Sequence, residues 1–260
     1  MTAFRPWGLT LPTAFVLAAS SGASAAPLHV HDSSGVLGVV DPATGAVDIV
    51  GGLGVRLTDI AFDRSGGLYG VSFSDLYSVD AETASTTRIG SHGVPGGNAL
   101  VFGADGTLYS AGASSTELYV IDPTSGATTS LGDVGFASGG DLAFLGTDLF
   151  LASGDGDLVR IDLADLSGST VVGPFGVASV FGIAASDDDA LFGVGGTTIF
   201  SVDAMTGAAV DPIDFAGQGL GDAFGQSFRG EAAAPVPVPA AVLLLGAGLV
   251  GLAAAGRGRT

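Results

Sequence analysis

Three aspartates, Asp59, Asp141 and Asp222, each open a short apolar run, and Asn98 stands beside the corresponding place in a fourth. Carboxylate and amide oxygens brought together from several such runs suit a hard cation, so calcium is the cofactor to consider. The same acids admit glycoside hydrolysis, with one as general acid and another as base or nucleophile. A simpler role competes with both. An aspartate at a strand start accepts backbone N–H groups and ties its strand to a neighbour. The sequence favours the tie and requires no cofactor. Sugar chemistry also wants stacking platforms. The only tryptophan, Trp7, lies in the leader, and Tyr69, Tyr77, Tyr109 and Tyr119 fall in runs that read as packed strands.

Other candidates are weaker. His29 and His31 are two apart in a predicted strand, so both point to one side, where they read as a solvated polar face in preference to a metal pair. His92 sits in a Gly/Pro loop with no nucleophile placed beside it by the sequence. Asp187-Asp188-Asp189 reads as a surface turn, and Asp155-Gly156-Asp157 lacks the length and terminal Glu of an EF-hand loop. The chain has no Cys and no Lys, which excludes disulfides, thiolate metal sites and a phosphate loop. All 26 acidic residues lie between Asp32 and Glu231 with only five arginines, leaving that body at about −21. Such a surface repels nucleic acid, so none is expected as a partner.

A repeat must position these residues. An apolar residue followed by aspartate recurs at Val40-Asp41, Val79-Asp80, Ile121-Asp122, Ile161-Asp162 and Val202-Asp203, in steps of 39, 42, 40 and 41. A period of this size marks an array of one supersecondary unit. Each unit reads as four short strands separated by Gly and Asp turns. Asp41-Pro42-Ala43-Thr44-Gly45 and Asp122-Pro123-Thr124-Ser125-Gly126 show what the recurring aspartate does. It accepts turn N–H groups, Pro fixes φ, and Gly takes positive φ.

Four units are continuous. The fifth is split: Leu28 to Val50 supplies three strands, and Asp222-Ala223-Phe224-Gly225 supplies the missing first strand. An open array would leave sheet edges unpaired. The expected fold is therefore all-β: a five-bladed β-propeller of four-stranded blades, closed by N- and C-terminal strands sharing one blade. The tract Leu118-Tyr119-Val120-Ile121-Asp122 resembles the YVTN-like bacterial propeller repeats, which agrees on fold.

The ends read differently. Residues 1–25 carry Arg5, an apolar stretch and Ala23-Ser24-Ala25, the pattern of a secretory signal peptide. The propeller is expected over 26–230, a Pro/Ala linker over 231–239, a transmembrane helix over 240–256 and a basic cytoplasmic tail over 257–260. Ala240 to Ala255 is uncharged, and Arg257 and Arg259 follow it; basic residues after a span stay cytoplasmic. The order of parts, with Val236, Pro237, Val238, Pro239 and Ala240 ahead of the span, resembles the PEP-CTERM sorting signals, and most closely the variant with a Val-Pro-Leu-Pro-Ala core. Val238 departs from the usual Leu. The resemblance implies export in a Gram-negative bacterium, an inner-membrane precursor held by the C-terminal helix, and processing by an exosortase-type enzyme before delivery to the cell surface or matrix. The expected function is a non-enzymatic extracellular binding or matrix module, with extracellular polysaccharide as a partner to consider. The alternative is a calcium-dependent hydrolase of glycosidase or lactonase type built on Asp59, Asp141 and Asp222.

Overall fold

The computed structural model describes residues 26–233, which form twenty strands in five four-stranded antiparallel sheets. Blade 2 contains β4 (Asp59–Phe62), β5 (Leu68–Val71), β6 (Asp75–Val79) and β7 (Thr86–Ser91). Blade 3 contains β8 (Gly97–Phe102), β9 (Leu108–Gly112), β10 (Glu117–Ile121) and β11 (Thr128–Asp133). Blade 4 contains β12 (Ser138–Leu145), β13 (Asp148–Ser153), β14 (Asp157–Ile161) and β15 (Thr170–Pro174). Blade 5 contains β16 (Val180–Ala185), β17 (Leu191–Gly195), β18 (Thr198–Val202) and β19 (Ala209–Asp214). Blade 1 joins the chain ends: β1 (Leu28–Asp32), β2 (Val36–Val40) and β3 (Val47–Gly52) are completed by β20 (Ala223–Phe228), in the order β20-β1-β2-β3.

The recurring aspartates make the outer turns. Asp41 Oδ1 accepts from Ala43 N at 2.8 Å, Asp122 Oδ1 from Thr124 N at 2.8 Å, and Asp203 Oδ1 from Met205 N at 2.8 Å. Gly45, Gly126 and Gly207 take the positive φ that ends each turn.

Packing between blades repeats as well. The second strand of one blade sets an aromatic ring against a Phe at the end of the next blade's first strand. Tyr69 meets Phe102, Tyr109 meets Phe144, and Phe192 meets Phe228, with centroids 5.2, 5.6 and 5.4 Å apart. Edge-to-face and tilted pairs at these spacings add stabilisation beyond burial. His29 takes this position in blade 1, edge-on to Phe62 at 4.8 Å. Between blades 4 and 5, Phe150 packs in one cluster with the smaller Ala185. His29 and His31 are therefore interior residues, 5% and 0% exposed, and the solvated face expected for them is corrected. His29 packs on Phe62 of blade 2, and His31, two residues further along the same strand, shares that face.

The closing strand is registered differently from the sequence expectation. Leu28 pairs with Phe228, as Leu68 does with Phe62 and Leu108 with Phe102. That register makes Gly225 the counterpart of Asp59, Ala99, Asp141 and Gly182, and Asp222 falls three residues earlier, exposed, ahead of the strand. Asp222-Ala223-Phe224-Gly225 mimics the motif, but pairing is decided by Phe228, which is fully buried. Asp32 fastens the seam from the other end. Its Oδ2 accepts from Gly221 N at 2.8 Å while Oδ1 accepts from Ser34 N and Val36 N.

The signal segment, the motif Val236 to Ala240, the span and Arg257 and Arg259 lie outside the described residues. Among the described residues, no helix is long and apolar enough to cross a membrane. Glu231 and Ala232, placed in the linker by the sequence reading, are buried in a 3-10 turn, Glu231–Ala233, against the body.

Deleting residues 223–228 leaves β1 and β4 without their neighbour and removes the fully buried Phe228. The deleted protein is expected to lose its cooperative thermal transition. A soluble variant that still melts in one step in calorimetry would show that the seam does not hold the ring.

Candidate binding site at the channel mouth

The five first strands run the same way around the central channel. Their starts define an upper face and their ends a lower one. Asp59, Ala99, Asp141, Gly182 and Gly225 form one level near the upper end. At this level the tie read from sequence is present. Asp59 Oδ1 accepts from its neighbour Ile60 N at 2.8 Å, and Oδ2 accepts from Leu100 N of the next blade at 2.6 Å. Asp141 repeats the arrangement with Leu142 N at 2.6 Å and Ile183 N at 2.9 Å. Two carboxyls thus bind blade 2 to 3 and blade 4 to 5.

The two carboxyls also influence each other's ionisation. Burial pushes both well above the ordinary carboxyl range, and for Asp141 the charge of Asp59 adds to it. Gly225 is small because Asp59 Oδ1 and His31 Nε2 occupy the space a Cβ would need. Asp222 is not part of this group. It stands outside on the surface, where its backbone carbonyl accepts from Ser33 N at 2.8 Å.

Two residues that the sequence reading did not assign to the channel join it. Glu231 sits below the aspartates, its Oε2 accepting from Ser227 Oγ at 3.0 Å and its Oε1 from Ala185 N at 3.3 Å. Burial raises its carboxyl to about 8. His31 lies beside Asp59 with neither ring nitrogen partnered, and burial lowers it to about 4. His92 is a buried loop tie: Nδ1 accepts from Val94 N at 3.0 Å, leaving Nε2 to donate to Ser72 O at 2.9 Å.

Directly above the aspartates the channel opens into a cavity of about 250 Å3. Thr58, Asn98, Gly140, Phe181 and Phe224, one from each blade, line it. Each immediately precedes a residue of the channel level in sequence. Phe73, from a connection between second and third strands, completes the rim. Phe73 is 62% exposed and Phe181 36%, and Phe181 packs edge-on against Phe224 at 5.8 Å. Asn98 turns its Nδ2 to Ser138 O at 3.4 Å. The mouth is thus an apolar cup above a buried acidic floor. Its aromatics were invisible as a set in the sequence, where they lie 108 and 43 residues apart and carry no shared motif. The one available signal was position: two of the three stand at the start of a first strand.

No family model matches the chain, and no curated protein matches it significantly. Among solved structures it is similar to one reported under "The de novo evolutionary emergence of a symmetrical protein is shaped by folding constraints", at 19% identity and a TM-score of 0.51, covering 75% of this chain and 96% of the other. It is also similar to a chain of a nidogen/laminin complex, at 12% identity and a TM-score of 0.51, covering 78% of this chain and 85% of the other. At these identities the likeness concerns the fold.

Glu231 makes a pH prediction. A carboxyl raised on folding contributes stability that is complete below its ordinary value near 4.5 and is lost as pH rises through about 8. His29 and His31, both lowered to about 4, act oppositely: their destabilisation grows as pH falls from 6.5 to 4. The two effects overlap below pH 6.5, so the window from 6.5 to about 8 isolates the carboxyls. The melting temperature should fall across it, and Glu231→Gln should flatten the fall. An unchanged slope in Glu231→Gln would contradict this account.

Proposed function

We propose that the protein is an exported, non-enzymatic β-propeller that acts as an extracellular binding or matrix module, engaging its partner at the upper mouth. The observation that carries this reading is the exposure of Phe73 and Phe181 around an apolar cavity that all five blades contribute to. Exposed aromatics rimming a concave site favour an apolar group of a ligand or partner. The likeness to a chain from a nidogen/laminin complex concerns the fold. Nucleic acid is disfavoured by the acidic body.

The ends of the sequence support export, retention in the inner membrane through residues 240–256, and processing by an exosortase-type enzyme at Val236 to Ala240. Mass spectrometry of both ends of the native protein is the direct check. The expected mature N-terminus is near Ala26, and the C-terminal tail should be absent. A native protein that retains Arg257 and Arg259 would argue for a plain membrane anchor.

The hydrolase alternative has less behind it. Retaining and inverting glycosidases hold their carboxyls roughly 5 to 9.5 Å apart, with substrate or water between them. Asp59 and Asp141 are instead 0% and 1% exposed, and each directs both oxygens to backbone N–H groups. Turnover of any substrate in a broad hydrolase panel, abolished by Asp141→Asn, would reinstate it.

The mouth is testable with a neutral, polarity-sensitive dye such as Nile red. The full chain should enhance its fluorescence, and Phe73→Ala with Phe181→Ala should remove most of the gain. Both rings are exposed, so the melting temperature should move little. Undiminished enhancement in the double variant would place the apolar site elsewhere.

A further inference from the structure

Blade 4 breaks the repeat twice, and both breaks fall on the lower face. The connection between first and second strands spans five residues in blades 2, 3 and 5, as in Asp63–Gly67. In blade 4 it is the two-residue turn of Gly146 and Thr147, with Leu145 pairing Asp148. The connection between third and fourth strands is six residues in the other four blades. In blade 4 it is eight, and it folds into a 3-10 turn, Leu166–Gly168. The short turn leaves space and the long one walls it.

The result is a groove. Its outer part is a cavity of about 420 Å3, lined by Thr147, Asp148, Arg160, Asp162, Leu163 and Thr170 among others. Thr147 and Leu163 also line an inner cavity of about 230 Å3, which runs past Tyr109 and Phe144 to Glu231 beneath the channel. The groove therefore runs from the rim to the axis of the propeller.

Its chemistry narrows the occupant. Arg160 donates to Asp148 Oδ1 at 2.6 Å, so the one cation present is already paired and offers little net attraction to an anion. The remaining polar groups are hydroxyls and carboxylates, which accept hydrogen bonds from O–H groups. The apolar groups are spaced between them: Leu163, 41% exposed at the waist, then Phe144 and Tyr109 inside, packed edge to face at 5.6 Å. Alternating O–H acceptors and apolar contacts along an elongated groove match a neutral sugar chain, which carries hydroxyls at its edges and C–H surfaces on its ring faces.

We infer that the lower-face groove of blade 4 is a second binding site, separate from the mouth, and that it takes a short stretch of neutral polysaccharide. A module with an apolar mouth above and a saccharide groove below can bridge two components of a matrix.

The test is calorimetric titration of the full chain with neutral cello-, xylo- and malto-oligosaccharides, with an acidic oligouronide as the charged comparison. Binding is expected for at least one neutral series and weaker or none for the uronide. Replacing Leu145–Asp148 by the five-residue turn Asp63–Gly67 gives Phe144 and Leu149 the spacing of Phe62 and Leu68 and remodels the groove wall, and it should abolish binding. Leu163→Ala, at an exposed position, should weaken it about tenfold and leave the melting temperature unchanged. Phe73→Ala with Phe181→Ala should not affect it. The inference is overturned if no neutral series binds, if the uronide binds best, if Leu163→Ala binds normally, or if the mouth variants lose the sugar. Loss in the mouth variants alone would move sugar binding to the upper site, whereas failure of dye binding there with intact sugar binding would sink only the mouth.

Discussion

The pairing of β20 with β1 is the contact on which the architecture depends. It joins residues almost 200 positions apart, Leu28 with Phe228 through His31 with Gly225. Without it, four blades would form an open arc with an unpaired first strand at one end and three orphaned strands at the other. The side chains reinforce the pairing from both ends. Phe228 fills the lower core beside Phe192, and Asp32 reaches across the upper end to Gly221 N. A contact of such high sequence separation costs much chain entropy to form, so closure is expected late in folding.

The channel level shows how a repeat tolerates unequal residues. Two blades place aspartate there, one alanine and two glycine. The sequence is uneven because the channel is narrow. Two carboxyls fill the middle, and Gly225 must yield to Asp59 and His31. Their ligation by backbone N–H groups fixes neighbouring blades, and burial holds both carboxyls well above the ordinary range. Glu231 adds a third buried acid, held by Ser227 and Ala185.

Much of this was legible in the sequence. The aspartate turns, the number of blades, the split blade and the tying role of Asp59 and Asp141 follow from spacing and local chemistry, because turns and strand starts are short-range features. The register of the closing strand did not follow. Asp222-Ala223-Phe224-Gly225 imitates the local motif, and only the long-range match of Phe228 to Leu28 rejects it. The interior position of His29 was hidden for a related reason. Its partner Phe62 comes from another blade, and a histidine replacing an aromatic in a five-fold series is apparent only once the blades are aligned. The mouth and the blade 4 groove are assembled from single residues or missing ones, which leave no local pattern.

The seam also has a mechanical consequence. Because Leu28 lies opposite Phe228, both ends of the described body leave blade 1 from the lower face. Tension applied between the two ends loads β1 and β20 at the same end of an antiparallel pair. Their hydrogen bonds would then break in succession, like a zipper, instead of sharing the load in shear. Tension between one end and the upper face passes through the body and does not peel the seam in this way.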